Sequence, residues 1–236
     1  MVYVQAILER LGVMRVCVII PAHNEAQAIG GLIRSIRLQG IDVAVVDDGS
    51  LDGTSEAAQS AGAAVIRNIS NKGKGASLAR GFAYAMEHGF DAVITMDGDG
   101  QHLAEDIPYF IGRAENSEAG IFIGNRMQET AHMPRVRILT NMFMSWLISI
   151  ATMQDIPDSQ CGFRLIKKAT LQSFRLTSFK FEMETELLLK AARHGIRIES
   201  IPIKTVYSDE RSHINPLVDT LRFIAFMIRQ IWTTPH

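Results

Sequence analysis

The chain has 236 residues, of which 47% are hydrophobic and 21% charged, and this is enough for one α/β domain with a large buried core. A formal net charge of −1 gives no basis for nucleic-acid binding, and two cysteines do not make a disulfide framework. The N-terminus lacks a signal-peptide pattern, and no run reaches about 18 uninterrupted apolar residues, so the sequence predicts no transmembrane helix.

The first half of the chain alternates short apolar strands with helices. The hydrophobic patterns predict strands at 16–20, 43–46, 63–67, 92–96 and 120–123, and helices at 25–39, 52–61, 74–88 and 103–115. This alternation predicts a mainly parallel, doubly wound sheet, in which ligands bind at the carboxyl ends of the strands. Cys17 lies in the first of these strands and is expected to be a buried thiol.

The second half has a less regular pattern and a different charge. It predicts helices at 135–153, 181–194 and 216–232 and strands at 162–167 and 196–206, while residues 1–14 are predicted to form a short amphipathic helix. Residues 1–125 carry nine basic and fifteen acidic side chains, whereas residues 126–236 carry fifteen and ten. An acidic half suited to a metal and a basic half suited to phosphates favour an anionic substrate, with a chance asymmetry of surface charge as the alternative.

The segment 97–102 (DGDGQH) directly follows the predicted strand 92–96. Because residues i and i+2 of a strand share a side, the carboxylates of Asp97 and Asp99 are expected to face one small volume. Two such anions repel each other unless a cation or proton lies between them, and hard oxygen ligands suit Mg²⁺ or Mn²⁺, which would bring a diphosphate. A polar turn is the alternative. An EF-hand is excluded, because its sixth and twelfth positions would be His102 and Pro108.

Three further polar segments stand where predicted strands end or helices begin: PAHNE (21–25), DDGS (47–50) and NKGKG (71–75). In the first, Asn24 is placed to cap the following helix, and Glu25 is favoured near a helix N-terminus. In the second, Asp48 is predicted to have no structural role and to accept hydrogen bonds from a ribose or base. The glycines and lysines of the third suit a phosphate, with a flexible basic turn as the alternative.

In this order the segments resemble the family 2 glycosyltransferases, which have the GT-A fold, and are most similar to the branch of dolichyl-phosphate mannosyltransferase and bacterial polyprenyl-phosphate glycosyltransferases. The resemblance also rests on GNR (124–126), DSQCGFR (158–164), FEMETELLLKA (181–191) and ERSHINPLVDTLRF (210–223). It implies an α/β fold, with a mainly parallel, doubly wound sheet and helices on both faces, in a single catalytic domain of residues 1–236. Residues 15–125 would form a nucleotide-binding half, residues 126–215 an acceptor-binding half and residues 216–236 a C-terminal amphipathic helix.

The resemblance implies an inverting, metal-dependent glycosyltransferase that moves a sugar from a UDP- or GDP-linked donor to a polyprenyl phosphate. The cofactor would be Mg²⁺ or Mn²⁺, held by Asp97, Asp99 and Gln101. The residues predicted to bind the donor are Pro21, Asn24, Glu25, Asp48, Lys74, Asp97 and Gln101.

The predicted catalytic residues are Asp99, Arg126, Asp158 and Arg164. An ionised lipid phosphate needs no general base, so Arg126 and Arg164 are expected to hold it in line. A neutral hydroxyl acceptor would benefit from a base, and Asp158 is the predicted one. The acceptor itself is predicted to contact Arg137, Glu184 and Ser212.

The segments 142–153 and 217–232 are rich in Met, Phe, Trp and Ile, which suits a membrane interface, with core packing as the alternative. The predicted partners are therefore a nucleotide-diphosphate sugar, a polyprenyl phosphate or other acceptor, and a membrane surface or membrane protein, but no nucleic acid. The predicted location is cytoplasmic and peripheral to the cytoplasmic face of a membrane. Two alternatives stay open: a glycosyltransferase with a glycan or small hydroxyl acceptor, and a non-catalytic nucleotide-sugar-binding subunit of a membrane complex.

Overall fold

The structure, a computed structural model, describes residues 14–128, 130, 133–178, 182–204 and 223–227. Its strands are β1 (Val16–Ala22), β2 (Asp42–Asp47), β3 (Ala64–Arg67), β4 (Ala92–Thr95), β5 (Ile121–Asn125), β6 (Arg164–Lys167) and β7 (Ile198–Pro202). Its helices are α1 (Ile29–Arg37), α2 (Thr54–Ser60), α3 (Lys74–Glu87), α4 (Ile107–Glu115), α5 (Arg135–Thr152), α6 (Lys168–Ser173) and α7 (Glu182–Arg193). A 3₁₀ turn at Ala104–Asp106 precedes α4, and residues 223–227 are also helical.

The strands form one sheet in the order β3-β2-β1-β4-β6-β5-β7. Strands β3, β2, β1 and β4 are parallel, β7 is parallel to β5, and β6 is antiparallel to both β4 and β5. The central strands β1, β2 and β4 are buried almost throughout, which is why they read as continuous apolar runs rather than alternating ones. The prediction of a mainly parallel α/β sheet is confirmed.

Helix α3 packs closely against the sheet and carries its own N-terminus to the carboxyl ends of the strands. The close approach depends on Gly81, because a Cβ atom at that position would lie 2.2 Å from Cγ2 of Ile19 in β1. Lys74 is the first residue of α3 and therefore stands at the sheet edge where ligands of such folds bind.

Every strand and helix predicted in the first half is present, with ends that differ by a few residues. The largest differences are at α1 and α4, which each begin about one turn later than expected. The expected cap on α1 is wrong. Asn24 adopts the left-handed backbone conformation (φ 59°), the amides of Ala28 and Ile29 both donate to the carbonyl of Glu25, and α1 starts only after this turn.

The short helix α6 was not expected, because six residues are too few to give a hydrophobic period. The N-terminal helix predicted at residues 1–14 lies outside the described part of the chain except for its last residue, Met14. The end of the predicted strand 196–206 and most of the predicted helix 216–232 also lie outside it. Both cysteines are free and buried, as predicted for Cys17, and burial raises the pKa of each thiol to about 12.

Glu186, on α7, anchors the chain that leads into that helix. Its carboxylate accepts the backbone amides of Thr177 (3.0 Å) and Ser178 (2.7 Å) and pairs with Lys190 (2.6 Å), while the side chain itself is fully buried. Burial alone would raise the pKa of Glu186, but Lys190 and the hydrogen-bond donors of this segment outweigh it and hold the pKa at about 2. The carboxylate is therefore ionised throughout the physiological range.

This arrangement predicts acid-sensitive stability. Because the folded-state pKa lies below the unfolded value of about 4.3, the stabilisation from Glu186 is present above that pH and is lost as the pH falls toward about 2. We expect Glu186→Gln to lower the free energy of unfolding at pH 7 by about 1–3 kcal/mol, with the deficit shrinking at pH 3. Urea unfolding at several pH values measures this, with Glu182→Gln on the same helix as the control. A deficit independent of pH would contradict the prediction.

Candidate active site

Residues 97–102, called the acidic loop below, follow β4 at the carboxyl edge of the sheet. The backbone amide of Asp97 donates to Nδ1 of His102 (3.3 Å), and Oδ1 of Asp99 accepts the amide of Gln101 (3.0 Å). The loop is closed from the other side by Gly162, where a Cβ atom would lie 2.5 Å from Oδ2 of Asp97. A glycine at 162 therefore lets the segment that precedes β6 come directly against the first carboxylate.

His102, the last residue of the DGDGQH segment, supports the acidic loop in a way that the sequence did not predict. The side chain is buried, and because Nδ1 accepts the Asp97 amide, the proton is assigned to Nε2, which lies 4.0 Å from Sγ of Cys161. Burial lowers the pKa of His102 despite the opposing charge of Asp97, so the ring is neutral. The ring also packs against Phe163. His102 thus fixes the backbone from which Asp97 projects; its position three residues after Asp99 was the available signal.

Lys74 joins the donor side of the predicted site to the acceptor side. Its Nζ lies 2.6 Å from Oδ1 of Asp97 and 3.3 Å from Oε2 of Glu184 at the start of α7. Burial alone would raise the pKa of Asp97, but the Lys74 ammonium and the other positive groups nearby, Arg126 among them, together outweigh burial and hold the pKa well below its usual range. Two residues that the sequence assigned to the donor and one that it assigned to the acceptor are therefore in direct contact.

The expectation that Asp48 has no structural role is wrong. Its Oδ1 accepts Nδ2 of Asn68 (2.7 Å) and the amide of Lys72 (2.9 Å), and its Oδ2 accepts the amide of Gly73 (2.7 Å). Burial opposes ionisation, but these donors outweigh it and lower the pKa of Asp48. The carboxylate is almost completely buried and holds the loop that precedes α3, so it sets the position of Lys74.

The ends of β1 and β2 are tied together by the other predicted donor residues. The amide of Asn24 donates to Oγ of Ser50, and Oδ1 of Asn24 accepts the amide of Leu51, both at 2.9 Å. The amide of Glu25 donates to Oγ1 of Thr54, and the Glu25 side chain lies beside the acidic loop, where a Cβ atom at Gly98 would be 3.4 Å from its Cγ. Pro21 lies in β1 beside Val46 of β2.

Arg126 and Asp158 form a buried ion pair with two parallel hydrogen bonds. Nε and Nη2 of Arg126 donate to the two carboxylate oxygens of Asp158 at 2.7 and 2.9 Å, and the amide of Arg126 and Nδ2 of Asn141 donate to them as well. The two residues are 6% and 1% exposed. Burial would raise the pKa of Asp158, but Arg126 outweighs it and lowers the pKa. With four donors on its carboxylate, Asp158 is arranged to position Arg126 rather than to act as a general base.

Arg164 is built into the wall of the site. Its guanidinium nitrogens donate to the carbonyl oxygens of Cys161 (2.8 Å), Glu184 (3.0 Å) and Ser159 (2.9 Å), and the residue is only 2% exposed. It therefore fixes the segment before β6 against the start of α7. Its Nη2 also lies 3.6 Å from Oε1 of Glu184, so the charge of the guanidinium is balanced within the protein. These contacts do not support the expectation that Arg164 holds the acceptor phosphate.

The remaining predicted residues are distributed around the same edge. Arg137 is half-buried in the first turn of α5, and Gln101 is half-buried in the acidic loop. Ser212 lies outside the described residues. The structure thus brings Asp97, Asp99, Gln101, Lys74, Glu184 and Arg164 into one region and places Asp48 and His102 beneath it.

The acidic loop fits a divalent metal of the kind that binds together with a diphosphate. No group of three His, Cys, Asp or Glu side chains that could hold a metal by itself is present in the part of the chain that the structure describes. Mg²⁺ and Mn²⁺, however, are commonly bound by one or two carboxylates with phosphate and water oxygens completing the shell. The two carboxylates and one amide of Asp97, Asp99 and Gln101 are ligands of that kind.

Comparison with known sequences identifies the family of the chain. Residues 17–182 match the sequence profile of glycosyl transferase family 2. The chain is 29% identical over 214 residues to the UDP-N-acetylglucosamine–dolichyl-phosphate N-acetylglucosaminyltransferase of Methanococcus voltae, covering 81% of this chain and 85% of the relative. It is 28% identical over 206 residues to the undecaprenyl-phosphate mannosyltransferase of Micrococcus luteus, covering 82% and 84%.

The fold is similar to that of glucosyl-3-phosphoglycerate synthase from Mycobacterium tuberculosis, solved in complex with Mn²⁺ and UDP-glucose. The TM-score is 0.75 at 19% sequence identity, covering 99% of this chain and 84% of that one, and this likeness identifies the GT-A fold. With residues 17–182 matched and transferases that act on polyprenyl phosphates among its relatives, this chain is a glycosyltransferase and belongs to glycosyl transferase family 2.

Proposed function

We propose that this glycosyltransferase moves a sugar from a nucleotide-diphosphate donor to a polyprenyl phosphate, with a divalent metal and with inversion at the anomeric carbon. The observation that carries the proposal is the meeting of Asp97, Lys74 and Glu184 at the sheet edge, beside the acidic loop. The named activities of the Methanococcus voltae and Micrococcus luteus relatives support a lipid-phosphate acceptor. The Mn²⁺ and UDP-glucose bound to the structural neighbour support the metal and a uridine donor.

In this proposal the donor lies across the carboxyl ends of β1, β2 and β4. The loops held by Asn24, Glu25 and Asp48 would receive the nucleoside, and Lys74 at the N-terminus of α3 would face the diphosphate. Asp97, Asp99 and Gln101 would hold a metal that, when bound, neutralises the charge developing on the departing diphosphate.

The transfer is a single displacement. An ionised phosphate oxygen of the acceptor forms a bond to the anomeric carbon while the bond from that carbon to the diphosphate breaks, which inverts the configuration and releases a nucleoside diphosphate. The nucleophile carries no proton, so no base is required, which agrees with an Asp158 carboxylate that already accepts four hydrogen bonds. Arg137, half-buried in α5, is the candidate for contacting the acceptor, and Arg126, buried after β5 and paired with Asp158, would position that side of the site.

Helix α5 supports a membrane-embedded acceptor. Its inner face is tied to the site, because Asn141 donates to Asp158 and the hydroxyl of Ser145 accepts the amide of Ser159. Its outer face leaves large apolar side chains between 41% and 92% exposed over this helix and the residue after it: Val136, Leu139, Met142, Phe143, Trp146, Ile150 and Met153. An apolar helical face of this size with a Trp and with arginines at one end suits the interface of a bilayer.

The helix would lie on the membrane rather than cross it. Among the helices that the structure describes, none is both long and apolar enough to span a bilayer. Contact through the outer face of α5 would place the Asp158 and Arg126 pair, and with it the acceptor side of the site, next to the lipid head groups.

A transfer assay with the full chain tests the proposed function. UDP- and GDP-sugars are offered with undecaprenyl or dolichyl phosphate in vesicles, with Mn²⁺, Mg²⁺ or EDTA, and the glycolipid is extracted and its anomeric configuration assigned by NMR. We expect product with one nucleotide class, none with EDTA, and none with the corresponding polyprenol that lacks phosphate. Transfer to glycan or small hydroxyl acceptors, with none to lipid phosphate, would contradict the acceptor.

The outer face of α5 yields a second prediction. Replacing Trp146 and Ile150 together by glutamate is expected to weaken binding to anionic vesicles by about tenfold or more. The variant loses two apolar side chains that would be buried in the bilayer, and it adds two negative charges that anionic lipids repel. Activity toward a short, water-soluble prenyl phosphate is expected to stay near the wild-type value. Vesicle co-sedimentation and the two assays measure this, with Leu38→Glu as the control, because Leu38 is an exposed apolar residue at the end of α1, away from this face. Unchanged vesicle binding would exclude this face as the membrane contact.

A further inference from the structure

Lys74 is held in place by an elaborate local arrangement. The backbone just before it is fixed by Asp48, which accepts the amides of Lys72 and Gly73, and Gly73 adopts a positive φ of 91° that places the next residue at the start of α3. From there the ammonium reaches Asp97 at 2.6 Å and Glu184 at 3.3 Å. The fold therefore fixes the backbone of Lys74 and brings its ammonium to these two carboxylates, which distinguishes this contact from a chance ion pair at the surface.

The ammonium contacts a carboxylate that the proposed function assigns to the metal. Two cations cannot bind the same oxygen of Asp97 at contact distance without strong repulsion, so a metal on that oxygen requires Lys74 to move away. The flexible four-carbon stem of lysine permits such a movement, and a diphosphate arriving with the metal offers the ammonium a new anionic partner. Glu184 gives the ammonium a second carboxylate at 3.3 Å, which also lies 3.6 Å from the guanidinium of Arg164.

We propose that Lys74 is a tethered cation that occupies Asp97 before the donor arrives, and that it makes tight metal binding conditional on the nucleotide diphosphate. The inference rests on the proposed function, because it needs the donor and metal to share this site. Its consequence is an order of binding: metal alone competes with Lys74 and binds weakly, whereas metal and diphosphate together displace it. The acidic loop is thereby kept from collecting divalent ions without substrate.

Titration of Mn²⁺ alone tests this inference, with free Mn²⁺ followed by electron paramagnetic resonance, in the absence and presence of UDP or GDP. We expect Lys74→Met to bind Mn²⁺ alone about tenfold more tightly than the wild type, the effect of removing one charged competitor. The factor by which the nucleotide raises Mn²⁺ affinity is expected to fall in the variant, and by linkage the factor by which Mn²⁺ raises nucleotide affinity falls equally.

Two further variants sharpen the test. Lys74→Arg keeps a positive charge at the first position of α3 and is expected to retain the weak Mn²⁺ affinity of the wild type. Lys72→Met removes one positive charge from the same loop, where only the backbone amide contacts Asp48, and is expected to leave the affinity for Mn²⁺ alone unchanged. Lys74→Gln removes the charge while keeping a hydrogen-bonding group and replaces Lys74→Met if that variant fails to fold.

The outcomes separate this inference from the function on which it rests. A wild-type protein that binds Mn²⁺ with neither UDP nor GDP would overturn the proposed donor site. A wild-type protein that binds Mn²⁺ with nucleotide, together with charge-removing variants whose affinity for Mn²⁺ alone is unchanged or weaker, would overturn the role of Lys74 only. If Lys72→Met also bound Mn²⁺ alone more tightly, the effect would come from the net charge of the loop, and the specific role of Lys74 would be overturned.

Discussion

Replacing Asp99 by asparagine is expected to reduce sugar transfer by about a hundredfold or more, the usual scale for removing one preorganised electrostatic group from a transition state. Asparagine keeps the oxygen that accepts the amide of Gln101 at 3.0 Å, so the turn is retained and only the charge is lost. The loss should therefore fall on metal and diphosphate binding and not on the fold. Initial transfer rates, Mn²⁺ binding in the presence of nucleotide, and the thermal unfolding temperature together measure it.

The matched control for this variant is Glu105→Gln. Glu105 is exposed and lies in the turn that follows the same loop, so the substitution removes one negative charge nearby without touching the predicted metal ligands. We expect its transfer rate to stay within about twofold of the wild type, as for surface changes in general. An Asp99→Asn protein with normal activity and unchanged metal dependence would remove Asp99 from the mechanism.

The sheet was predictable because a strand that is buried on both faces appears in the sequence as a continuous run of apolar residues. Strands β1, β2 and β4 are runs of β-branched and other apolar residues, and each is followed by a polar segment at the ligand edge. The antiparallel direction of β6 was not predictable in the same way, because strand direction depends on the connections and leaves no period in the residues. Helix α6 was not predictable for another reason: its six residues are too few to give a hydrophobic period.

The location of the site was easier to predict than the contacts inside it. The sequence placed carboxylates, lysines and arginines at one edge of the sheet, and the structure brings the residues around Asp97 together there. It did not reveal that Asp48 supports a neighbouring loop or that Arg164 is enclosed by carbonyl oxygens. Those roles depend on partners between 3 and 25 residues away, whose distance no local pattern encodes. The role of His102 was not predicted either, because its contact with the amide of Asp97 depends on how the loop between them turns.

The charged residues of the site fall into two groups, those that hold the backbone in place and those that are open to a ligand. Asp48, His102 and Arg164 are buried and hold backbone segments, whereas Asp97, Asp99, Lys74 and Glu184 keep part of their surface open. Groups of the second kind can exchange protein partners for ligand atoms at lower cost, because they are not fully desolvated in the free protein. The residues that bind substrate are therefore expected among the half-buried ones, and the buried ones serve to position them.

The ion pair of Arg126 and Asp158 tests this division through stability. Asp158→Ala is expected to lower the free energy of unfolding by about 3–5 kcal/mol, because the buried guanidinium of Arg126 loses the carboxylate that balances its charge. In a chain of this length that corresponds to a drop of roughly 10 °C in Tm. Urea and thermal unfolding measure it, and Asp155→Ala, an exposed acid three residues earlier, should change the free energy by less than about 0.5 kcal/mol.

A double substitution and a pH profile separate positioning from base catalysis. Arg126→Met combined with Asp158→Leu replaces the pair by apolar groups and should recover part of the lost stability, because no buried charge is left unbalanced. The recovery is incomplete because the amide of residue 126 and Nδ2 of Asn141 lose their acceptor. Since the pKa of Asp158 is lowered in the folded protein, its stabilisation is present above about pH 3.9 and is lost only as the pH falls further. In Asp158→Asn we expect a lower transfer rate but an unchanged pH profile between 5 and 8. If the fall in transfer rate at low pH were absent in this variant, Asp158 would instead be identified as the base, and the acceptor would be a hydroxyl.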